Sequence, residues 1–464
     1  MNLERLVAAL GPAEVLGRAA VEVRDLAYDA RAVEPGALFF CVPGGRADGH
    51  DFAREAVAAG AVALVVERRL DIAVPQVVVP SARAAMAPAA DAFFGEPTAE
   101  LEVAGVTGTS GKTTTAFLLF AILAAAGRRP GLLGTIEARV GGERRAVVRT
   151  TPEAIDLQRL FREMLDVGDR SCAMEASSHA SELHRLDRVR FSALVFTNLS
   201  QDHLDFHRDL ESYFQAKRRL FLEGGPPAAV NVGDEHGRRL AAELPGALTF
   251  GFGGDAAVGP AALAGWDLKL RGRFNVENAL GALAAGRLLG IADDAIRRGI
   301  ESIRGVPGRF EAVDEGQPFT VIVDYAHKPG ALENVLHAVR DLAGGNRVLC
   351  VVGAGGDRDR GKRPLMGRLA SELADVAIVT SDNPRSEEPG AIIEEIVAGA
   401  TRPVEIEPDR AAAIALALER ARPGDVVLIA GKGAEQGQEL ADRTIPFDDR
   451  EVAREVLRAR EAAQ

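Results

Sequence analysis

An α/β fold in three successive blocks is what the sequence predicts, and three observations point there. At 464 residues the chain exceeds what one hydrophobic core commonly organises. Short β-branched runs alternate with helical periodicity, and polar clusters follow nearly every run. Apolar strands separated by helices build parallel sheets covered on both faces, and such sheets hold ligands beyond the carboxyl ends of their strands.

The first block carries strand runs at Leu38 to Gly44, Ala61 to Glu67 and Gln76 to Pro80, with a helical Asp51 to Gly60 among them. Gly95 and Pro97 interrupt the pattern and set a boundary near residue 98. A second block opens with the strand Leu101 to Gly108, a glycine-rich turn and a long apolar helix. It continues through Cys172 to Ser177, Ala193 to Leu199 and Ala228 to Val232, and closes with helices Val276 to Gly290 and Asp293 to Ile303. Gly305, Pro307 and Gly308 read as a linker. Beyond it come strands at Phe319 to Ala326, Arg347 to Ala354, Asp375 to Asp382 and Asp425 to Gly433. The expected domains are 1–98, 99–306 and 307–464, with hinges near residues 98 and 306.

Composition narrows the class of function. With 47% hydrophobic and 26% charged residues the chain is of ordinary globular type, which disfavours a disordered, collagenous or disulfide-scaffold protein. Its formal net charge of -12, with no basic run interleaved with aromatics, argues against nucleic acid as a partner. Cys41, Cys172 and Cys350 form no CxxC pair and read as small buried hydrophobes. The apolar stretch around Thr113 to Gly127 is too short to span a bilayer, and the N-terminus lacks the layout of a secretory signal, so a cytoplasmic protein is expected.

The clearest chemical signal is the strand ending at Val106 that leads into Gly108, Thr109, Ser110, Gly111, Lys112, Thr113 and Thr114 and then a helix. Glycines let backbone N–H groups converge on phosphate, the helix N-terminus adds positive potential, Lys112 reaches the β/γ oxygens and Thr113 suits magnesium. The glycine spacing departs from the usual phosphate loop, since Val106 stands where the first glycine belongs and Gly105 is one residue early. Phosphoryl transfer needs cations held by hard oxygen donors or imidazole at strand ends, and Glu175 and His203 each follow a strand in this block. Taken alone each is more often a surface charge or a satisfied core residue, and their position in the block that carries the phosphate loop favours the ligand reading. Lys217, in SYFQAKRRLF, reads as one member of a basic helix face.

Taken together, TGTSGKTT, MEASSHA, NLSQDHLDFH, YFQAKRRLF, GRFNVENALGA, GVPGRFE, VDYAHKPGAL, GGDRDRGKRPLMG, DNPRSEEP and GKGAE, in this order, resemble the Mur ligases of peptidoglycan synthesis, nearest the diaminopimelate-adding type. The resemblance spans essentially the whole chain. It implies a small N-terminal α/β domain gripping a UDP sugar, a central ATPase with a mainly parallel sheet, and a C-terminal Rossmann-like domain bringing an amino acid. It further implies a monomeric enzyme in which ATP phosphorylates the D-Glu γ-carboxylate of UDP-MurNAc-L-Ala-D-Glu and the amine of meso-diaminopimelate attacks the acyl phosphate. Roles follow by matching positions. Lys112, Glu175, His203 and Lys217 are the expected catalytic residues, with Lys217 carbamylated and joining Thr113, Glu175 and His203 around magnesium. Asn278, Arg309 and Asp324 are expected at ATP. The nucleotide-peptide substrate is expected at Tyr28, Ala30, Gly45, Arg46, Ala47, Thr150, Thr151, Ser177, Leu183 and Arg185. Ala30 replaces the family's serine and Leu183 a glutamine found in some relatives. Diaminopimelate is expected at Arg358, Asp382, Asn383, Pro384, Arg385, Gly431 and Glu435, and Ala434 stands where the family often has histidine. An arginine fork takes a distal carboxylate bidentately, and lysine or ornithine, lacking that carboxylate, are the alternative acceptors. Two other readings are a folylpolyglutamate-synthetase-like ligase and a non-catalytic nucleotide-binding protein. The N-terminal block and the DNPR and GKG segments oppose the first. The presence of Lys112, Glu175, His203 and Lys217 opposes the second.

Overall fold

The structure is a computed structural model that describes residues 1–11, 13–45, 47–204, 206–222 and 225–462. In chain order the first elements are α1 (Leu3–Ala9), β1 (Glu14–Leu16), β2 (Asp25–Ala27), β3 (Ala37–Phe40), α2 (Ala53–Ala58), β4 (Ala63–Val66), β5 (Gln76–Val78) and α3 (Ala82–Phe93). Then come β6 (Glu102–Thr107), α4 (Lys112–Ala125), β7 (Pro130–Leu133), β8 (Ala138–Val140), β9 (Glu143–Arg145), α5 (Ala154–Asp166), β10 (Ser171–Glu175), α6 (Ser178–Glu182), β11 (Phe191–Phe196) and α7 (Leu210–Leu222). They are followed by β12 (Ala228–Asn231), α8 (Glu235–Glu243), β13 (Leu248–Phe250), α9 (Arg273–Leu288) and α10 (Asp293–Ser302). The last part holds β14 (Glu311–Val313), β15 (Thr320–Asp324), α11 (Pro329–Ala343), β16 (Val348–Val352), α12 (Lys362–Leu373), β17 (Val376–Val379), α13 (Pro389–Val397), β18 (Glu405–Ile406), α14 (Arg410–Arg420), β19 (Val426–Ala430), β20 (Gly437–Glu439), β21 (Thr444–Pro446) and α15 (Asp449–Ala462).

Two compact units result. The first comprises Met1–Thr107, Gly127–Val195 and Gln215–Ala228, and the second Gly108–Ala126, Phe196–Phe214 and Ala229–Gln464. In the first unit one sheet runs β1-β5-β4-β3-β2, parallel except for β1. Period-two alternation buries both of its faces: Leu38, Phe40, Ala63 and Val65 join one cluster, Phe39, Cys41, Leu64 and Val66 the other. The order β11-β6-β10-β7-β8-β9 follows in the same unit, with β6, β10 and β7 parallel and the β8–β9 hairpin antiparallel. The second unit pairs β12 with β13 in parallel and builds the sheet β14-β15-β19-β16-β17-β18, parallel except for β14. Here too Ile322, Cys350, Val352 and Leu428 face one core, and Val321, Val323, Leu349 and Val427 the other.

The mixed α/β class with mostly parallel sheets stands as expected, and the three cysteines are free and buried. Differences lie at element ends. The helix expected over residues 51–60 is a 3-10 turn, Gly49–Phe52, capped by Asp48 accepting from the His50 N–H, followed by the short α2. The strand expected through Asp382 stops at Val379, and the one expected through Gly433 stops at Ala430. In both, the polar residues turn out of the ladder to form a site. The β8–β9 hairpin was not foreseen, because its exposed ERR strand carries no apolar alternation. Among the described residues no helix is long and apolar enough to cross a membrane.

In the second unit α4 packs against α9 and α10, and α10 comes close to α4 at Gly299, where a Cβ would lie 2.5 Å from the Ile122 Cα. Gly299→Ala should therefore push α10 off the phosphate-loop helix and cost roughly 1–3 kcal/mol. A lowered thermal midpoint together with weaker ATP binding is the expected readout; an unchanged midpoint would contradict the packing.

Candidate active site

The turn from Gly108 to Gly111 is held from outside itself, within the second unit. Ser110 N donates to Asn198 Oδ1 at 3.0 Å, and Ser110 O accepts from Thr197 Oγ1 at 2.6 Å and from Asn198 Nδ2 at 3.2 Å. Thr109 Oγ1 reaches Ser200 O and the buried Tyr213 hydroxyl, each at 3.2 Å. Gly111 has φ +86, and a Cβ there would lie 2.3 Å from Asn278 Oδ1; a Cβ at Gly108 would lie 1.9 Å from Thr197 Oγ1. Glycine is the residue that both the left-handed backbone and these close approaches allow. Lys112 folds back over the turn, donating to Gly108 O at 3.0 Å and Thr109 O at 2.9 Å. Asn278 donates through Nδ2 to Asn275 Oδ1 at 3.1 Å and accepts at Oδ1 from Thr115 Oγ1 at 3.4 Å.

Arg309 closes on this turn, since its Nη2 donates to Thr113 Oγ1 at 3.0 Å while its guanidinium lies 4.3 Å from the Tyr325 ring centroid. Asp324 accepts from Phe310 N at 2.7 Å. Burial, opposed by Arg309, raises the Asp324 carboxyl to about 6. His203, at φ +54, places Nε2 2.8 Å from Asp202, and Asp202 also pairs with Lys328. Burial pushes Asp202 upward, but Lys328 and His203 prevail and hold it well below the carboxylate range. Burial lowers the His203 imidazole, opposed by Asp202.

The residues expected at the amino acid form a second cluster in the same unit. Asn383 Nδ2 donates to Glu435 Oε2 at 2.9 Å, while the buried Lys432 Nζ donates to Asn383 Oδ1 at 2.7 Å and to Glu435 Oε2 at 3.1 Å. Asp382 uses Oδ1 to accept from Asn383 N, and its Oδ2 is buried without a hydrogen-bond partner, beside Gly431. Arg385 is fixed by Glu439 Oε2 at 2.6 Å and Gly356 O at 2.8 Å, and the backbone of Asn383 and Pro384 packs on Gly356. Arg358 and Arg385 flank Gly355, and Arg358 lines a cavity of about 270 Å³ with Leu204, Asp357 and Asp359.

The first unit carries a third cluster. Glu175 is buried, and its oxygens accept from Thr135 N at 2.7 Å and Thr135 Oγ1 at 3.2 Å. Thr150 Oγ1 lies 3.0 Å from Thr135 Oγ1. Thr151 Oγ1 donates to Glu175 O at 2.8 Å and accepts from Ser177 N at 3.2 Å, and Arg185 donates to Thr151 O at 3.1 Å. Leu183 caps α6 through its N–H to His179 O. Tyr28 donates to Asp156 at 2.6 Å; burial first and Asp156 second raise its phenol. Ala30 is buried in a 3-10 turn, Gly45 and Ala47 lie in an exposed loop, and Arg46 lies outside the described residues. Lys217 corrects the reading of α7 as a solvated basic face, since only 1% of it is exposed.

Three family descriptions cover most of the chain: Mur ligase family, catalytic domain, over residues 22–101; Mur ligase middle domain over 106–286; and Mur ligase, glutamate ligase domain, over 308–433. Sequence relatives include proteins named UDP-N-acetylmuramoyl-L-alanyl-D-glutamate--2,6-diaminopimelate ligase. The one from Solibacter usitatus is 47% identical, covering 95% of this chain and 94% of the relative. The chain belongs to the Mur ligase family. A second relative of that name, from Geobacter metallireducens, is 44% identical over 97% of each chain. A solved structure of a protein of the same name matches with a TM-score of 0.68 at 30% identity over 99% of each chain.

As an ATP-dependent Mur ligase with three Mur ligase domains, the protein uses residues that sequence reasoning passed over. Thr197 and Asn198 clamp the phosphate turn; Thr197 sits inside the expected strand run ALVFTNL, and Asn198 opens the motif NLSQDHLDFH without having been given a role. Lys432 and Glu439 support the amino-acid cluster from the far side of a turn 49 and 54 residues from their partners. A buried carboxylate whose hydrogen-bond donors are neutral, as at Glu175, is chemically suited to a hard cation.

The Asp324 carboxyl gives a pH test. The folded chain holds this proton more tightly than the unfolded chain does, so the stability it adds is full below its ordinary 3.8 and is lost as pH rises through about 6. Asp324→Asn should flatten that part of the stability profile, measured as denaturation midpoints between about pH 4 and about pH 7. An identical slope in both proteins would contradict the assignment.

Proposed function

We propose that the chain is an ATP-dependent amide ligase adding meso-diaminopimelate to the D-Glu γ-carboxylate of UDP-MurNAc-L-Ala-D-Glu in peptidoglycan precursor synthesis. The observation that carries this reading is the 47% identity over 95% of the chain to a protein of that name. The alternative folylpolyglutamate reading leaves the N-terminal block and the DNPR loop without a use.

Two chemical steps make the amide. A γ-carboxylate oxygen attacks the terminal phosphorus of ATP and expels ADP; the acceptor amine then attacks the acyl carbon, loses a proton and expels phosphate. Charge spreads over the transferring phosphoryl group, so the protein works by positioning and by presenting positive charge. The turn Gly108 to Gly111, including Thr109 and Ser110, shapes the phosphate cradle, the N–H groups at the start of α4 take the phosphates, Lys112 reaches the terminal oxygens, and Arg309, Asn278 and Asp324 complete the ATP site. Thr113, Glu175, His203 and Lys217, the last as a carbamate, are the proposed ligands of magnesium, which supplies further charge neutralisation. Lys217 is buried, which sets it apart from Arg218 and Arg219 as the candidate for conversion to a carboxylate ligand. Thr150, Thr151, Ser177, Leu183 and Arg185 take the peptide, and Tyr28, Ala30, Gly45, Arg46 and Ala47 take the nucleotide sugar. We place the enzyme in the cytoplasm as a monomer, with domain limits near residues 98 and 306.

In the acceptor pocket Arg358 and Arg385 take the distal carboxylate, while Asp382, Asn383 and Glu435 face the ammonium beside Gly431 and Pro384. The partnerless Asp382 Oδ2 supports this, since a buried acceptor needs a donor. Phosphate release with ATP, magnesium and the nucleotide substrate should be at least roughly hundredfold faster with meso-diaminopimelate than with L-lysine or L-ornithine, because those lack the distal carboxylate that Arg358 and Arg385 take bidentately. Equal rates would assign a different acceptor. Lys217→Ala should abolish release, with partial recovery in short carboxylic acids; full activity of the plain variant would remove Lys217 from the mechanism.

A further inference from the structure

Four side chains of the first unit gather next to the Glu175 cluster, and only one of them has been given a task. Glu153, with a side chain 6% exposed, receives three guanidiniums: Arg185 Nη2 at 2.9 Å and Arg149 Nη1 at 3.3 Å on Oε1, and Arg83 Nη1 at 3.3 Å on Oε2. The arginines come from three places in the sequence: the first turn of α3, the residue before Thr150, and the segment after α6. Asp156, the other carboxylate close by, is occupied by the Tyr28 hydroxyl. Three cations therefore share the Glu153 carboxylate, and like charges are held together at a cost that a second anion would relieve.

Two further features point the same way. Arg185 Nε is buried without a hydrogen-bond partner, and its pKa is lowered by burial and by Arg149 and Arg83, with Glu153 opposing. An orphaned donor on a buried guanidinium is a cost that a ligand acceptor removes. The cradle is also wired to the peptide region, because Arg185 Nη1 donates to Thr151 O, and the Thr151 hydroxyl bonds Glu175 O and Ser177 N.

The D-Glu residue of the substrate has two carboxylates, and only one is phosphorylated. A carboxylate gripped by arginines has its lone pairs engaged and its charge neutralised, so it is anchored and made a poor nucleophile at once. We propose that Arg83 and Arg149 act with Arg185 as the receptor for the D-Glu α-carboxylate, with Glu153 as the positioning residue that holds the three guanidiniums together, so that this cradle decides which carboxylate meets ATP. The inference rests on the ligase reading above.

The test uses the full-length protein and two substrates, UDP-MurNAc-L-Ala-D-Glu and its analogue with the α-carboxylate converted to a carboxamide. With the unaltered protein the analogue should raise KM roughly tenfold to hundredfold with little change in kcat. Arg149→Gln, at a half-exposed position where folding is not at stake, should raise KM for the parent substrate to a similar degree and add no further penalty for the analogue. Arg149→Lys and Arg83→Lys should recover part of the loss, and binding of UDP alone, measured calorimetrically, should be the same in all. Equal losses for both substrates, or no loss for either, would overturn the proposal; a loss for UDP would overturn it by assigning the cradle to the diphosphate. Failure of the unaltered protein to turn over the parent substrate is a separate result, which rejects the ligase reading itself.

Discussion

Ser110 is where the catalytic half of the second unit is fixed. Its amide and carbonyl are both taken by Thr197 and Asn198, so the phosphate turn is held by the chain that follows β11 and not by its own backbone alone. Once that turn is set, the rest follows from short distances. Gly111 leaves room for Asn278, α4 starts at Lys112, and Thr113 faces Arg309. Any side chain at Gly108 or Gly111 would break the clamp, which is why the turn tolerates an unusual glycine spacing but not the loss of these two residues.

The second unit repeats one device at each site: a charged group is fixed by a partner far along the chain. Asp202 is shared by His203 and Lys328, Arg385 is held by Glu439, and the fully buried Arg410 is paired with Asp449 while donating to Ser381 O and Ala430 O. The last arrangement fixes the ends of the two segments that carry Asp382 and Gly431. Ion pairs of this sort, buried at Arg410 and partly exposed at Arg385, add little net stability. Their use here is to hold geometry, since a carboxylate or guanidinium with both partners specified has one orientation.

Much of this was legible in the sequence because it depends on local pattern. Apolar alternation found the parallel strands, and a glycine-rich turn between strand and helix found the phosphate loop. What local pattern could not find is pairing at long range. Glu439 lies 54 residues from Arg385, and Thr197 lies 87 from Ser110; nothing in either neighbourhood marks the contact. Lys217 shows the converse failure. Its neighbours Arg218 and Arg219 give it the look of a solvated face, and burial alone separates it from them. Strand ends were overrun because the same residues that end a strand in sequence, as in TSD and GKG, are the ones that leave the ladder to make a site.

In the proposed reaction the amide is made through an acyl phosphate on the substrate's carboxylate. Labelling the D-Glu γ-carboxylate with oxygen-18 and analysing the phosphate released in a complete reaction tests it directly. One labelled oxygen carried into phosphate is the predicted result. Phosphate without label, alongside amide formation, would contradict the account.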